Sequence, residues 1–351
     1  MQTFHCDHCG HLVFFENVFC EACGHTLGYL TDLHTMSALE LTTDGLWSSR
    51  HPNATGYRYR MCSNYAQENV CNWMLPAHDP HTLCESCRLT EIIPALCWPQ
   101  NRAYWYRMEQ AKRRLLYTLS TLGLVPVGKA ENPWQGLAFH FLADNAQTGQ
   151  VVTGHDSGVI TLNIAEADDI QRERTRSQLG EPYRTLLGHF HHEIGHYYWD
   201  RLINGSFRLA AFRQLFGDER ADYDANLQRH YNQGPPADWP QYFVSDYASA
   251  HPWEDWAETW AQYLQMVDAL DTVQACGMTL SPTHPDDPTL IHSNQAWARG
   301  SFDDMLERWF PLSYLLNNLH RSLGMPDGYQ FSLAAPVVSK LRFVHEVVTG
   351  Q

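Results

Sequence analysis

Eight of the ten cysteines in this chain lie before residue 90, and their spacing restricts how the N-terminal region can fold. Cys6 and Cys9 form one C-x-x-C pair, and Cys20 and Cys23 form a second pair after ten intervening residues. Four thiolates at this spacing are typical of a tetrahedral zinc site in a ribbon. The pattern predicts a structural zinc ion bound by these four residues, with no coordination position left open.

A second set of four cysteines has looser spacing and predicts a second structural zinc site. Its members are Cys62, Cys71, Cys84 and Cys87. His78 and His81 remain alternative ligands, and exchange of cysteines between the two sets stays open. Cys97 and Cys276 stand alone in the sequence, and we expect them to be small buried apolar residues.

The composition and the periodicity of the sequence change near Arg102. Residues 1–100 are rich in cysteine and turn formers and lack long periodic helices, which indicates a small region stabilised by metal. Beyond Arg102, apolar residues recur at helical spacing, so a long amphipathic helix is predicted to open a second domain. The basic residues of this stretch, which include Lys112 and Arg113, indicate a solvated helix face. The sequence thus predicts two domains, residues 1–100 and 101–351.

The second domain combines few strands with many helices, which predicts an α+β fold. Strand-like runs occupy residues 137–142 and 159–164. Helical patterns follow over residues 182–202, 206–230, 253–275 and 302–323. The expected architecture is a mainly helical domain with a small sheet, preceded by small zinc-ribbon modules.

The pattern H-E-x-x-H occurs at residues 192–196 as HEIGH. On a helix, His192 and His196 lie one turn apart on the same face, so both imidazoles can bind one metal ion. Glu193 then lies beside the metal, where a carboxylate can take a proton from bound water. The helix is expected to start near Glu181-Pro182. The motif predicts a catalytic zinc site with Glu193 as the general base.

A third metal ligand is expected from the sequence EDWAETWA at residues 254–261. Glu254 and Glu258 lie one helical turn apart beside a tryptophan-rich stripe, where uncompensated carboxylates are costly. A metal ion and a ligating imidazole would compensate them. We therefore predict Glu254 as the third ligand and Glu258 as the acceptor that orients His192. Other candidates for the third ligand are Asp218, Glu219, Asp222, Asp224 and His189.

These motifs resemble those of the gluzincin metallopeptidases of the lethal-factor type, in which the first glutamate of an E-x-x-x-E helix binds zinc. The resemblance implies that Tyr247, shortly before that helix, stabilises the transition state. The whole chain also resembles a bacterial family of zinc-binding metallopeptidases with an N-terminal zinc ribbon. One departure from the family pattern is His191, where arginine is expected. The segments that carry the likeness are Phe4–Gly10, FFEN at 14–17, Cys71–Trp73, Thr153–His155, Gly158–Asp169, Tyr183–Trp199 and Tyr247–Leu264.

Together, these observations predict a zinc metallopeptidase that acts on proteins or peptides, with one catalytic and two structural zinc ions. Zinc is expected to lower the pKa of bound water toward about 7, and Glu193 to take its proton. Tyr247 is expected to stabilise the oxyanion, and Val159–Ile164 to be an edge strand with which an extended peptide pairs. A non-catalytic zinc-ribbon adaptor and a zinc amidohydrolase acting on a small amide stay open as alternatives.

Charge and hydropathy restrict the partners and the location. The net charge is −15, and residues 1–100 hold ten acidic but four basic residues, so we expect neither nucleic acid nor membrane as a partner. No long apolar run and no signal peptide are recognisable, which predicts a cytoplasmic protein. The zinc ribbons are expected to contact a protein partner. A ubiquitin-like protein is one option, because the first ribbon has the spacing of small ubiquitin-binding fingers.

Overall fold

The structure is a computed structural model that describes residues 1–144, 149–172, 185–291, 300–330 and 332–350. It has the predicted α+β class, with short strands around the cysteine clusters first and a mainly helical part afterwards. Within the described ranges, none of the helices combines the length and apolar composition needed to cross a lipid bilayer.

The N-terminal region contains a small hairpin and a closed five-stranded barrel. The loop of the hairpin carries Cys6 and Cys9, and the barrel strands follow in chain order. Side chains of the barrel strands such as Leu27, Met36 and Tyr59 are almost fully buried. The hairpin strands are β1 (Phe4–His5) and β2 (Leu12–Val13), and the barrel strands are β3 (Thr26–Leu30), β4 (Thr35–Leu41), β5 (Trp47–Ser49), β6 (Tyr59–Met61) and β7 (Trp73–Pro76).

A second sheet of four strands has the order β10-β11-β9-β8. Its strands are β8 (Thr90–Ile92), β9 (Ala138–Leu142), β10 (Gly154–Asp156) and β11 (Val159–Asn163). β9 is parallel to both β8 and β11, whereas β10 is antiparallel to β11. The prediction that 159–164 forms the edge strand is wrong, because Ser157 and Gly158, with φ of 49° and 84°, turn the chain into a tight hairpin. The short strand β10 therefore occupies the edge.

Helices form most of the remaining structure. Two short helices, α1 (Ser63–Ala66) and α2 (Glu85–Arg88), flank the cysteines of the second set. The longer ones are α3 (Pro99–Thr121), α4 (Leu186–Leu202), α5 (Leu209–Phe216), α6 (Tyr223–Gln233), α7 (Pro252–Ala275), α8 (Phe302–Ser322) and α9 (Ala335–Thr349). The prediction of one helix over 206–230 is wrong, because Gly217 with φ of 103° ends α5 and Asp222 caps α6. The expected start at Glu181-Pro182 lies outside the described residues, and the described helix begins after Thr185, which caps it.

Two further expectations about burial are corrected by the structure. Lys112 and Arg113 are fully buried rather than solvated, because Lys112 pairs with Glu109 (Nζ to Oε2, 2.8 Å) and Arg113 donates to a backbone carbonyl. Cys97 and Cys276 are exposed rather than buried. They lie just outside the ends of α3 and α7, where the chain has left the core.

Candidate metal centre

Helices α4 and α7, which carry the two motifs, make an unusually close contact at Gly195. A Cβ atom at this position would lie 3.1 Å from the Cα of Ala257 and 3.2 Å from the Cβ of Trp260. The indole Nε1 of Trp256 donates a hydrogen bond to the carbonyl oxygen of Gly195 at 2.8 Å. Because no side chain separates the helices here, the histidines of α4 and the glutamates of α7 can meet.

The side chains of His192, His196 and Glu254 converge on one point. Glu254 Oε2 lies 3.0 Å from His192 Nε2 and 3.6 Å from His196 Nε2, and the two Nε2 atoms are 3.2 Å apart. Zinc bonds of about 2.0–2.1 Å at tetrahedral angles place ligand atoms about 3.3 Å apart. Glu254 Oε2 is buried and accepts no hydrogen bond among the described residues. The donor set and its spacing therefore fit one zinc ion.

Glu258 contacts the first histidine from the side opposite to this point. His192 Nδ1 donates to Glu258 Oε1 at 2.6 Å, and the hydroxyl of Ser245 donates to Glu258 Oε2 at 2.7 Å. A carboxylate on one imidazole nitrogen fixes the tautomer and leaves the other nitrogen free for metal. Glu258 thus lies where the sequence predicts it, whereas Ser245 was not anticipated.

Tyr223, the first residue of α6, was also missed by the sequence analysis. Its hydroxyl donates to Glu254 Oε1 at 2.7 Å. Burial and the charge of Glu254 raise the pKa of Tyr223, so the phenol stays protonated and remains a donor. Since Tyr223 is 31 positions from Glu254 and belongs to no local motif, no sequence signal marked it.

Glu193 and Tyr247 both line a cavity next to His192. The cavity has a volume of about 700 Å³ and is also lined by His192 and Glu258. Burial raises the pKa of Glu193, whose Oε2 has no hydrogen-bond partner among the described residues. The Tyr247 ring lies 6.1 Å from that of His192, centroid to centroid. Substrate pockets commonly measure about 300–1,000 Å³, so the cavity can hold part of a peptide.

The alternative third ligands have other contacts. Asp218 pairs with Arg220, Glu219 pairs with Arg213, and Asp222 caps α6. Asp224 lies in the first turn of that helix. His189 contacts Glu166. None of them belongs to the group of potential ligands formed by His192, His196 and Glu254.

His191, the departure from the family pattern, is a buried residue of α4 that lies next to Asp268 of α7. Its Nε2 lies 3.4 Å from Asp268 Oδ2, too far for a strong hydrogen bond. Burial lowers the pKa of His191 to about 3, so its ring is neutral at ordinary pH.

The eight N-terminal cysteines form two separate clusters, each from one predicted set. The Sγ atoms of Cys6 and Cys23 are 3.7 Å apart, as are those of Cys9 and Cys20, and Cys71 and Cys84 show the same distance. Zinc–sulfur bonds of about 2.3 Å in a tetrahedron give about 3.8 Å between sulfurs. Both clusters therefore fit a zinc ion, and neither includes His78 or His81.

Comparison with known proteins points to the same chemistry. The sequence profile of a family described as "putative zinc-binding metallo-peptidase" matches residues 101–347, and that of a zinc-ribbon domain matches residues 3–98. Uncharacterized proteins of Mycobacterium bovis and Mycobacterium tuberculosis are 44% identical over 349 residues, which cover 99% of this chain and 95% of theirs. No solved structure matches the chain.

Proposed function

Because the chain belongs to the zinc-binding metallo-peptidase family, we propose that it is an HExxH peptidase of the gluzincin type that hydrolyses peptide bonds in proteins or peptides. One observation carries this proposal. The triangle of His192, His196 and Glu254 adjoins, through His192, a cavity that is also lined by Glu193 and Tyr247, so a potential ligand, a base and a hydrogen-bond donor line one space.

In this proposal each side chain of the site has a separate role in hydrolysis. A zinc ion held by His192, His196 and Glu254 would lower the pKa of water and polarise a substrate carbonyl. Glu193 accepts the proton of the attacking water and returns it to the leaving amine. The hydroxyl of Tyr247 donates a hydrogen bond to the developing oxyanion, a contact typically worth about 3 kcal/mol.

The proposal includes two structural zinc ions in the cysteine clusters and one exchangeable zinc at the catalytic centre. We assign residues 1–100 to the zinc-ribbon domain and 101–351 to the peptidase domain. The ribbon exposes Leu12, Phe14 and Phe19, which could contact a protein substrate or a ubiquitin-like partner. Location in the cytoplasm, where thiolates stay reduced, is part of the same proposal.

The test is the Glu193→Gln variant, which keeps the size of the side chain and removes its basicity. We expect cleavage of an unfolded protein such as casein to fall by about 10²–10⁴-fold while the zinc content stays that of the wild type. Unchanged turnover would refute the role of Glu193.

Two further outcomes identify the alternatives. A non-catalytic adaptor would keep the third zinc in the wild type and show no chelator-sensitive cleavage of any protein. An amidohydrolase would cleave small acyl amides and leave casein intact.

A further inference from the structure

The two carboxylate oxygens of Glu254 have different surroundings. Oε2 faces the Nε2 atoms of His192 and His196 at 3.0 and 3.6 Å. Oε1 accepts the hydrogen bond from the hydroxyl of Tyr223 at 2.7 Å. Because Glu254 is only 1% exposed, bulk water has little access to either oxygen. Oε2 is thus directed to the point where the two histidines converge, and Oε1 is hydrogen-bonded to the phenol of Tyr223.

The position of Tyr223 relative to Glu254 is fixed by His251. His251 Nδ1 accepts from the backbone N–H of Trp253 at 3.1 Å and caps α7, the helix whose first turn contains Glu254. Its Nε2 donates to the carbonyl of Ala221 at 3.1 Å, just before α6. The ring of Tyr223 packs edge-on against His251, with centroids 5.2 Å apart. The same histidine therefore holds the helix start that carries Glu254 and the one that carries Tyr223.

The packing of α6 indicates that the hydroxyl of Tyr223 is not required to anchor the helix in the core. None of the residues from Tyr223 to Gln233 is fully buried, and Tyr223 itself is half-buried. Removing the oxygen of Tyr223 leaves its ring contacts with His251 and Trp253 in place. The hydrogen bond to Glu254 is thus the specific contact of this hydroxyl.

We propose that Tyr223 is a positioning residue that holds Glu254 as a one-oxygen metal ligand. A carboxylate that binds through both oxygens would occupy an additional coordination position, the position that water and substrate need. By keeping Oε1 bonded to its hydroxyl, Tyr223 sets the metal affinity and keeps that position open. The inference rests on the proposed function in one respect, that a metal ion binds to His192, His196 and Glu254.

The test compares Tyr223→Phe with a matched control, Tyr198→Phe, in the full-length chain. The hydroxyl of Tyr198 is also hydrogen-bonded, to the backbone carbonyl of Leu124 at 2.6 Å, but it touches no potential ligand. Three quantities are measured: the Zn²⁺ affinity of the exchangeable site by chelator competition, the visible spectrum of the Co²⁺-substituted site, and the thermal stability of the protein without exchangeable metal. The spectrum reports the coordination number directly.

We expect Tyr223→Phe to weaken Zn²⁺ binding by about 10–100-fold and to change the Co²⁺ spectrum, with little change in the stability of the form without exchangeable metal. Tyr198→Phe should lower stability and leave affinity and spectrum unchanged. Wild-type affinity and spectrum in Tyr223→Phe would overturn the inference while leaving the Glu193→Gln result intact. Absence of any exchangeable metal site in the wild type would overturn the proposed function and this inference together.

Discussion

At the residue scale, a chain of hydrogen bonds leads away from the point where His192, His196 and Glu254 converge. His192 is bonded to Glu258, and Glu258 in turn to Ser245. The hydrogen bond between His192 and Glu258 fixes the tautomer of the imidazole directly. The bond from Ser245 only fixes the carboxylate of Glu258, so its effect on the orientation of His192 is indirect and weaker.

This series predicts a graded loss of function. Glu258→Ala should lower kcat/KM and Zn²⁺ affinity by about 10–100-fold, because the imidazole of His192 loses its acceptor. Ser245→Ala should cost less, because Glu258 keeps its bond to His192. Peptide cleavage and chelator competition on both variants check the order. A larger effect for Ser245→Ala would contradict the arrangement.

A second prediction at the residue scale concerns how the free energy of unfolding depends on pH through Asp268. The carboxyl group of this residue accepts a hydrogen bond from Thr118. Burial raises the pKa of Asp268 to about 6, above the unfolded value of about 3.9. The folded state therefore holds more protons between about pH 4 and pH 6, so stability contributed by this group falls as pH rises through that window. At neutral pH Asp268→Asn should be more stable than the wild type by on the order of 2 kcal/mol, and near pH 4 the gain should disappear.

Urea unfolding of both proteins at several pH values measures this difference, and the comparison cancels the titration of groups common to both. A pH-independent difference between variant and wild type would show that Asp268 has an ordinary pKa.

The candidate ligands could be predicted from the sequence where helical spacing alone places them. His192 with His196, and Glu254 with Glu258, are each one turn apart on one helix, so the i, i+4 rule is sufficient. Tyr223 and Ser245 escaped prediction because they reach the site from α6 and from the segment before α7. Their contacts depend on how separate segments pack, which no local pattern encodes.

Among the elements, the α4–α7 pair makes the contact that assembles the candidate metal centre, and Gly195 sets the distance between the two helices. Gly195→Ala gains up to about 1 kcal/mol of helix propensity, but the new methyl meets backbone of α7. Overpacking of this kind typically costs about 1–3 kcal/mol.

We therefore expect Gly195→Ala to lower stability by about 1 kcal/mol and, because Glu254 moves with α7, to weaken Zn²⁺ binding as well. Thermal unfolding and metal titration check the two effects. A variant that is more stable than the wild type and retains its full Zn²⁺ affinity would show that α7 can move away from α4 at no cost in stability.

Elements differ in how well the sequence predicts them. α3, α4, α7 and α8 follow from their apolar periodicity, whereas the barrel does not. In β3 four consecutive residues are buried, and β4 has a similar run, so the alternation expected of a half-buried strand is absent. β5, β6 and β7 have three or four residues each, too few for a periodic signal. α9 was missed as well, and its many valines lower its helix propensity.

On the scale of the whole molecule, the two cysteine clusters differ in their surroundings. All four cysteines of the second cluster are buried, whereas Cys9 of the first is exposed. Arg113 of α3 donates to the carbonyl of Val70, next to Cys71, at 2.6 Å. Burial would lower the pKa of Arg113, but the nearby charges of Cys71, Glu109 and Cys87 raise it. The guanidinium of α3 thus compensates a buried anionic cluster of the N-terminal region.

This difference predicts unequal effects of removing one thiolate from each cluster. Cys87→Ser should lower the thermal stability of the entire protein and reduce catalytic zinc binding, because the second cluster is packed against α3. Cys9→Ser should affect the first cluster and leave the catalytic site loaded. Zinc content and thermal unfolding of both variants measure this. Equal losses of thermal stability and of catalytic zinc in both variants would show that the two clusters stabilise the protein to the same extent.

The pairing of β8 with β9 also has a consequence for biosynthesis. β8 begins three residues after Cys87, and its partner strand starts at Ala138, beyond α3. A ribosome adds about 5–20 residues per second, so for a few seconds the nascent chain exposes a strand edge with no neighbour. Capture of zinc by the cysteines just before it would hold that edge in place until the rest of the sheet emerges.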